Sequence, residues 1–447
     1  MEEAMKKGPS LDILQEVSRQ KREPAWALAF RTKAFDLFAK KPLPSWGPDL
    51  AALNFSDLTY YLKSAGKEAK SWQEVDPSIA AVFEGLGIPQ AEREFLAVVK
   101  TQFESDVVYG SLREELQKQG VIFCSMEEAI QKHANLVKKY LGTVVSASDN
   151  KFAALNSAFF SGGSFVYVPR NVVVKKPLQT YFRINTAKTG QFERTLIIAE
   201  PGSSVHYIEG CTAPNFSSAN LHAAVVEIVA LEGAKVRYTT IQNWSKNVYN
   251  LVTKRAHVFK NAAVTWTDLN LGSAVTMKYP ASLLLAEGAT ASLLSLAIVN
   301  RGQIIDSGGK MVHLAPNTYS NILSKSLSLD GGQSSFRGLV SLGKSAVRSL
   351  AKVSCQALLL DNKSRSDSYP KIINEEKTAT VEHEDFISRL SSDQLLYLQS
   401  RGLKEAEATS LLALGFLEPV LKDVPLEYTL ELNNLMAVVM ENYYEEK

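Results

Sequence analysis

The chain has 447 residues, 49 basic and 47 acidic, for a net charge of +2, so it carries no electrostatic footprint for nucleic acid or for an acidic membrane. At ~150 residues per domain there is room for about three domains and a large core, with no need of disulfides or a structural metal. Three cysteines, an odd number far apart, argue against a disulfide framework and for a reducing, cytoplasmic compartment. The charged start, MEEAMKKGPSLDILQEV, has none of the apolar run that a secretory signal needs.

Residues 1–155 read as an N-terminal helical domain. Trp26, Ala29, Phe30, Ala34, Leu37 and Phe38 recur three or four residues apart, which predicts a helix. Pro24, Pro42, Pro44 and Gly47 cut the early part into short pieces. Ser125 and Glu128 form a capping box that opens a helix toward Tyr140.

The character changes near Ser161-Gly162-Gly163, and residues 156–384 read as a β domain. Runs such as Thr180–Ile184, Thr195–Ile198 and Lys235–Ile241 alternate at period 2 and are rich in Val, Thr and Tyr. Small turn residues fall at Gly202, Gly233, Ala262, Gly288, Asn317 and Ser345, at intervals of 31, 29, 26, 29 and 28. Repeats of this length signal stacked coils, and with strands and no helices the solution is a parallel β-helix. An ordinary sandwich or barrel is the alternative, though its strands recur about every 8–12 residues. The candidate membrane segment Ala281–Val299 contains Glu287 and Gly288 near its middle and reads as two strands around a turn.

Residues 385–447 return to helix. Ser391 to Gln394 is a second capping box, with Gly402 as the stop. A further helix is expected from about Lys404 to Leu414, before Gly415, and a third after Pro425. Such a helical end piece can cap a solenoid or dock a partner.

Cys355 lies in Ala351-Lys352-Val353-Ser354-Cys355-Gln356-Ala357-Leu358, where a strand puts Val353, Cys355 and Ala357 on one face. Alone, it reads as a small buried core residue, since free cysteine is among the most buried types. The triplet Glu382-His383-Glu384 follows 27 to 29 residues later, one repeat on, so the chain returns to a neighbouring lateral position. There Glu382 and Glu384 point one way and His383 the other. Thiolate, imidazole and carboxylate are all competent iron ligands, and a carboxylate-bearing cluster site is labile. A solvated surface patch accounts for the triplet equally well, because its spacing matches no CxxC or HExxH motif.

Cys211, in Tyr207-Ile-Glu-Gly-Cys-Thr-Ala-Pro214, has Gly and Pro beside it and reads as a turn cysteine with a reachable thiol. Arg183 or Lys254 nearby would favour its thiolate; an inert turn cysteine is the alternative. Cys124 follows Val121-Ile-Phe123 and reads as structural. No Ser-His-Asp signature, Walker loop or GxGxxG is present, so the chain is not expected to hydrolyse nucleotide itself.

The sequence resembles the SufB family of iron–sulfur cluster assembly scaffolds. The resemblance rests on Tyr140-Leu-Gly-Thr-Val-Val145, Tyr181-Phe-Arg-Ile-Asn185, Thr189-Gly-Gln-Phe-Glu-Arg194, Tyr207-Ile-Glu-Gly-Cys-Thr-Ala-Pro214, Leu221-His-Ala-Ala-Val-Val226, Gln242-Asn-Trp244, Val252-Thr-Lys-Arg255, Phe336-Arg-Gly-Leu339 and Val381-Glu-His-Glu384. It covers about Ser105 to Tyr443, with Pro24-Ala-Trp26 and Phe30-Arg-Thr-Lys-Ala34 fitting more loosely.

The resemblance implies a mainly β fold, a right-handed parallel β-helix flanked by helical domains. Among partners, it implies the ABC-type ATPase SufC docking on the C-terminal helices, and pairing through the β-helix with a SufD paralogue or with a second copy. It further implies a cysteine desulfurase with its sulfur-transfer protein as donor, and apo-proteins as acceptors. Position by position, Cys211 would be the first sulfur acceptor, and Arg183, Asn185, Gln242, Trp244 and Lys254 would line the sulfur route. Cys355 and Glu384 would hold the nascent iron–sulfur cluster, with Glu382 and His383 close by. A bound flavin is compatible with the family, but no residue here argues for one. Many relatives carry further cysteines, so the minimal set Cys124, Cys211 and Cys355 is expected to suffice. The rivals are a SufD-like structural partner, which should lack the acceptor cysteine and the Gln-Asn-Trp motif, and a β-helix polysaccharide lyase or hydrolase, which is usually secreted.

Overall fold

The computed structural model describes residues 7–62, 98–103, 106–110, 114–184, 186–213 and 218–421. The N-terminal part opens with helices α1 (Leu11–Gln20) and α2 (Ala25–Lys40). A hairpin of β1 (Val98–Phe103) and β2 (Asp106–Gly110) follows, then α3 (Glu114–Lys118) and β3 (Ile122–Ser125), so this region is mixed rather than purely helical. The Ser125 hydroxyl accepts from the Glu128 N–H at 3.2 Å, as a capping box requires. The helix it opens does not reach Tyr140 in one piece. It breaks at His133 (φ −125°, ψ 34°) into α4 (Met126–Lys132) and α5 (Ala134–Tyr140). The His133 ring stacks on Phe165, centroids 6.2 Å apart, which fixes the break against the sheet. Helix α6 (Lys151–Phe159) then runs just past the expected domain boundary.

From Ser164 the chain winds into a parallel β-solenoid of about eight turns. One long sheet contains β5 (Leu178–Arg183), β8 (Ser204–Thr212), β11 (Lys235–Trp244), β13 (Ala263–Gly272), β16 (Thr290–Val299), β18 (Tyr319–Ser328), β20 (Leu350–Leu359) and β23 (Thr380–Arg389), in that order. The hairpin β1–β2 closes its N-terminal edge. The second sheet runs from β3 through β4 (Ser164–Val168), β7 (Arg194–Ala199), β10 (Val225–Ala230), β12 (Val248–Val258), the pair β14 (Val275–Lys278) and β15 (Ala281–Leu284), β17 (Ile304–His313) and β19 (Gln333–Leu342). It ends on β21 (Arg365–Ser368) and β22 (Lys371–Asn374), with β6 (Gly190–Gln191) and β9 (Asn220–His222) alongside β12. The segment Ala281–Val299 is β15 and β16 around a turn at Gly288, and among the described residues no helix is long and apolar enough to cross a membrane.

One corner of the coil recurs at Asn171, Gly202, Gly233, Asn261, Gly288, Asn317 and Arg348, all with φ between 52° and 71°. The repeat noted at Ala262 and Ser345 is thus centred on Asn261 and Arg348, because the corner selects for left-handed backbone geometry and not for small size alone. At Gly288 a Cβ would come within 2.2 Å of the Asn261 side-chain oxygen one coil earlier, so a larger residue there would have to displace that side chain as well as adopt left-handed backbone.

Inward side chains stack in columns because each coil pairs in register with the next. Leu178, Tyr207, Tyr238, Trp266, Leu293, Ile322 and Val353 form one column. Successive rings of Tyr207, Tyr238 and Trp266 lie 5.3 Å apart. Such ring pairs add about 0.5–1.5 kcal/mol beyond the area they bury.

Helices α1, α2 and α6 cover the outer face of the second sheet, packing Phe38, Phe152 and Phe159 against Leu221, Leu251 and Met277. Beneath them the fully buried Arg194 and Glu227 form an ion pair of 2.5 Å. Glu227 also accepts the N–H groups of Gly142, Val144 and Val145, and Arg194 donates to Ser157 and to the Val145 carbonyl. This network pins the turn before α6 onto the solenoid.

The Ser391 hydroxyl caps α7 (Ser392–Ser400), accepting from Gln394 N–H, and the helix stops at Gly402, where φ is 96°. Helix α8 (Glu405–Leu421) continues through Gly415 instead of ending there, because Leu417 and Val420 beyond it are buried. Burying two such side chains outweighs the ~1 kcal/mol cost of a glycine within a helix. α8 leans on β16 and β18, with the Lys325 ammonium donating to the Phe416 carbonyl at 2.8 Å. It covers the flank of the solenoid, and among the described residues no helix covers the last coil. β23 carries that coil beyond residue 384, to Arg389, and Tyr369, Ile372, Ile373, Phe386 and Ile387 on it are exposed. The helix expected after Pro425 lies outside the described residues.

Glu227→Ala strands the Arg194 charge in the interior and should lower the free energy of unfolding by about 3–5 kcal/mol in denaturant titrations. The surface control Glu232→Ala, whose partner Lys260 is 3.6 Å away and solvent-exposed, should be near neutral.

Candidate functional site

Strand β8 alternates Val205, Tyr207, Glu209 and Cys211 into the solenoid, and Cys211 is fully buried there. This corrects the turn reading. Gly210 and Thr212 belong to the strand, and the thiol is packed with Phe182, Ile184, Trp244 and Val248. Register sets Phe182, Cys211, Gln242 and Asn270 side by side across four coils. The Gln242 amide donates to Cys211 Sγ at 3.9 Å, and the thiol faces Glu209 Oε1 at the same distance.

Around this thiol runs a closed polar network. Tyr238 donates to Glu209 at 2.5 Å, and Lys254 Nζ lies 4.0 Å from Glu209 and 3.4 Å from Asp268. Lys278 bridges Asp268 at 2.9 Å and the Gln242 carbonyl oxygen at 2.8 Å, and Asn250 donates to that same oxygen at 2.8 Å. His222 Nδ1 meets Asn250 at 2.8 Å, its Nε2 pairs with Glu193 at 2.9 Å, and its ring packs on Trp244 with centroids 4.7 Å apart. The Trp244 Nε1–H has no acceptor among the described residues. Gln242, Trp244 and Lys254 therefore converge on Cys211. Arg183 does not: it alternates to the other face of β5 and donates to Thr212 Oγ1 at 3.1 Å. Asn185 lies outside the described residues.

The environment keeps Cys211 protonated. Burial raises its thiol well above the ordinary value, Glu209 and Glu193 add to that, and Lys254 and Lys278 only partly oppose it. Burial brings Lys278 down to about 8 in spite of Asp268. Burial also pushes the Asp268 carboxyl up, but Lys278 and Lys254 outweigh it and hold the carboxyl below its ordinary range. For His222, burial works against protonation, yet the charge and hydrogen bond of Glu193 raise it above its ordinary value. With His222 protonated, the three carboxylates Glu193, Glu209 and Asp268 meet three cations, which is how so many charges remain buried together.

Cys355 is buried on the inner face of β20, in the coil before the open end. Register places Asp385 opposite it, Glu384 opposite Ser354 and His383 opposite Val353. Glu382 and Glu384 consequently face outward, where Glu382 pairs with Lys352 at 2.8 Å, and only His383 of the triplet shares the inner face with Cys355. Glu384 is thus not brought to Cys355 within this chain, and the carboxylate that meets the thiol is Asp385. Burial raises the Cys355 thiol, and the charge and hydrogen bond of Asp385 raise it further, against a smaller opposing effect of Ser368. Cys124 is buried among the apolar side chains beneath α4 and α5, as its neighbours suggest.

A family model described as the SUF system FeS cluster assembly, SufBD core domain, matches residues 182–416, and one for the SufBD protein N-terminal region matches residues 16–180. An iron–sulfur cluster assembly SufBD family protein of Staphylococcus aureus strain MRSA252 is 51% identical over 437 residues, covering 97% of this chain and 94% of that protein. A protein of the same description from Staphylococcus haemolyticus strain JCSC1435 has the same identity and coverage. The chain belongs to the SufBD family. Iron–sulfur cluster assembly is therefore its function at the family level, and a parallel β-solenoid between helical segments is its fold.

Within this SufBD protein the sequence reading found the thiols but missed Glu193, Glu209, His222, Asn250, Asp268 and Lys278, the residues that complete the network. Glu193 and His222 stand in the very motifs quoted for the resemblance, and Glu209 lies two residues before Cys211 on the same strand face. Asp268 and Lys278 had only coil-to-coil register to signal them. The raised His222 contributes stability that is fully present below its ordinary value of about 6.5 and is lost as pH rises through its higher folded-state value. Thermal melting midpoints should accordingly fall with rising pH above neutrality in the wild type, and His222→Gln should flatten that segment of the profile. Identical profiles for the two proteins would count against the Glu193–His222 ion pair.

Proposed function

We propose that this SufBD protein is the SufB-type scaffold, which takes up persulfide sulfur and iron, assembles a nascent iron–sulfur cluster and passes it to apo-proteins in the cytoplasm. The observation that carries the reading is the convergence of Gln242, Trp244, Lys254 and Lys278 on a thiol inside a solenoid. A purely structural coil gains nothing from burying that many polar groups, since each must find a partner. In the first step the Cys211 thiolate attacks the outer sulfur of a donor persulfide, a Cys211 persulfide forms, and the donor cysteine leaves as its thiolate. The donor is a cysteine desulfurase with its sulfur-transfer protein. Because the resting thiol is sealed and protonated, delivery requires the strand end at Thr212 and Ala213 to open, and Lys254 and Lys278 then stabilise the anionic sulfur. Arg183 and Asn185 serve the sulfur route, and Cys355 receives the cluster.

The open last coil supports pairing with a SufD-type paralogue or a second copy. Among the described residues strands β21, β22 and β23 end their sheets with unpaired backbone edges, and Ile372, Ile373, Phe386 and Ile387 are exposed beside them. Across such an interface the outward Glu382 and Glu384 can reach a cluster that they do not reach from their own Cys355. Leu396 and Tyr397 on α7 and Leu411 on α8 are likewise exposed, and form the surface on which the ATPase SufC would dock. ATP hydrolysis then belongs to that partner.

Anaerobic reconstitution with iron, followed by absorption and Mössbauer spectra, tests the reading. Cys211→Ala should form the cluster when sulfide is supplied directly and fail when sulfur must come through a desulfurase. Cys355→Ala should fail in both arms, and a stable cluster on that variant sinks the assignment. No cluster on the wild type in either arm would favour the SufD-like structural role.

A further inference from the structure

The outer face of the second sheet carries a groove that takes no part in the sulfur chemistry. Residues 41–46, which follow α2, face β12, Met277 of β14 and Lys310 of β17 across a space of about 540 Å³. That volume lies in the range of small-molecule sites. Pro42 and Pro44 restrict the segment that forms one wall. Leu43, Trp46, Leu251, Met277 and Tyr279 make the lining largely apolar, and the Trp46 and Tyr279 rings lie with centroids 5.6 Å apart.

Charge on this groove is unbalanced. Four cations line it, Lys41, Lys151, Arg255 and Lys310, against the single carboxylate of Asp149. Asp149 already pairs with Arg255 at 2.7 Å. The Lys151 ammonium donates to the Phe38 and Lys41 carbonyls at 3.0 and 2.5 Å, dipoles that leave its charge uncancelled. Among the described residues Lys310 makes no ion pair and no side-chain hydrogen bond, and its ammonium rests over the Tyr279 ring, 5.5 Å from the centroid. Asp306, which accepts from the Tyr279 hydroxyl at 2.7 Å, is held by Arg337 at 2.8 Å and does not answer Lys310. Burial lowers the Lys310 ammonium below the ordinary lysine range; Asp149 opposes that and Arg255 adds to it. Register sets Arg255, Ala281 and Lys310 in a row on β12, β15 and β17, so two cations stand about two ~4.8 Å strand spacings apart with only a methyl group between them.

We propose that this groove binds a small phosphate monoester with a flat, largely apolar body, the phosphate meeting Lys310 and Arg255 and the body lying against Leu43 and Trp46. A half-buried ammonium with no partner is a cost to the fold that a bound anion removes. A phosphate head, with a charge of about −1.5 to −2 at neutral pH, answers this surplus better than one carboxylate does, and it supplies three acceptor oxygens for charge-assisted hydrogen bonds. The apolar wall gives the rest of the ligand a place out of water. The site is separate from the thiol network, because β12 alternates: Lys254 is buried inside the solenoid, and Arg255, the next residue, faces out.

Isothermal titration calorimetry of the full chain with adenosine monophosphate tests this, with inorganic phosphate and adenosine as probes of the head and the body alone. Wild type should bind the monophosphate more tightly than either part. Lys310→Gln should weaken that binding by at least about tenfold, the loss of one charge-assisted hydrogen bond, and Lys310→Arg should keep most of the affinity. Trp46→Ala should weaken the monophosphate and leave inorganic phosphate unchanged. Because Lys310 has no ion-pair partner in the free chain, the ligand-free melting midpoint of Lys310→Gln should be no lower than that of wild type, which separates a lost contact from a folding defect. A lower midpoint would make Lys310 a structural residue and overturn the proposal. So would a wild type that does not bind the monophosphate, an undiminished affinity in Lys310→Gln, or inorganic phosphate binding as tightly as the ester.

Discussion

Backbone pairing between successive coils is the constraint from which the interior follows. Each rung hydrogen-bonds to the next in register, so side chains from residues about thirty positions apart are held side by side. One inward column reads Glu209, Thr240, Asp268, Ser295, Ser324, Cys355 and Asp385, and Cys211 begins beside it, two residues along from Glu209. The column next to it on the other side is the aromatic and aliphatic one headed by Leu178 and Tyr207. The two thiols of interest therefore lie on the polar seam of an otherwise apolar interior. From Glu209 to Cys355 is five rungs, about 24 Å at ~4.8 Å per strand spacing.

That seam is costly to keep. Carboxylates and ammonium groups lose their hydration inside the solenoid, and only mutual pairing offsets the loss. The geometry shows the compensation in detail: Asp268 holds two lysines, Gln242 accepts from Lys278 and Asn250, and Glu209 accepts from Tyr238. Apolar residues at the same positions would pack with less risk to the fold. The charges are also concentrated at the end of the seam near Cys211, whereas the middle rungs Ser295 and Ser324 are small hydroxyls. A distribution set by stability alone has no reason to be so uneven.

Much of the fold was legible because it repeats. The intervals between turn residues gave the coil length, and the alternation within Lys235–Ile241 gave strand and face. The capping boxes at Ser125 and Ser391 placed two helix starts correctly. Where the reading failed, tertiary packing had overridden a local signal. Gly415 looks like a helix stop, but the buried Leu417 and Val420 carry α8 past it. Gly210 beside Cys211 looks like a turn, but pairing with β5 and β11 holds it in the strand. At the candidate site, residue types were visible and partnerships were not. Counting one repeat from Cys355 reached the Glu-His-Glu triplet, and the actual coil is slightly longer, which puts Asp385 opposite instead. A shift of one residue turns every side chain to the other face, so a small error in coil length exchanges one carboxylate for another.

Both thiols share a further property that follows from their burial: each is held protonated, Cys211 among Glu209 and Glu193, Cys355 beside Asp385. A protonated, enclosed thiol is a poor nucleophile and a poor target for oxidants. At Cys211 the lysines Lys254 and Lys278, which favour a thiolate, are outweighed by burial together with the carboxylates Glu209 and Glu193. At Cys355 the charge of Asp385 adds to burial, and Ser368 only partly opposes the two. The two thiols are thus silenced by the same physical cause, burial reinforced by neighbouring carboxylates.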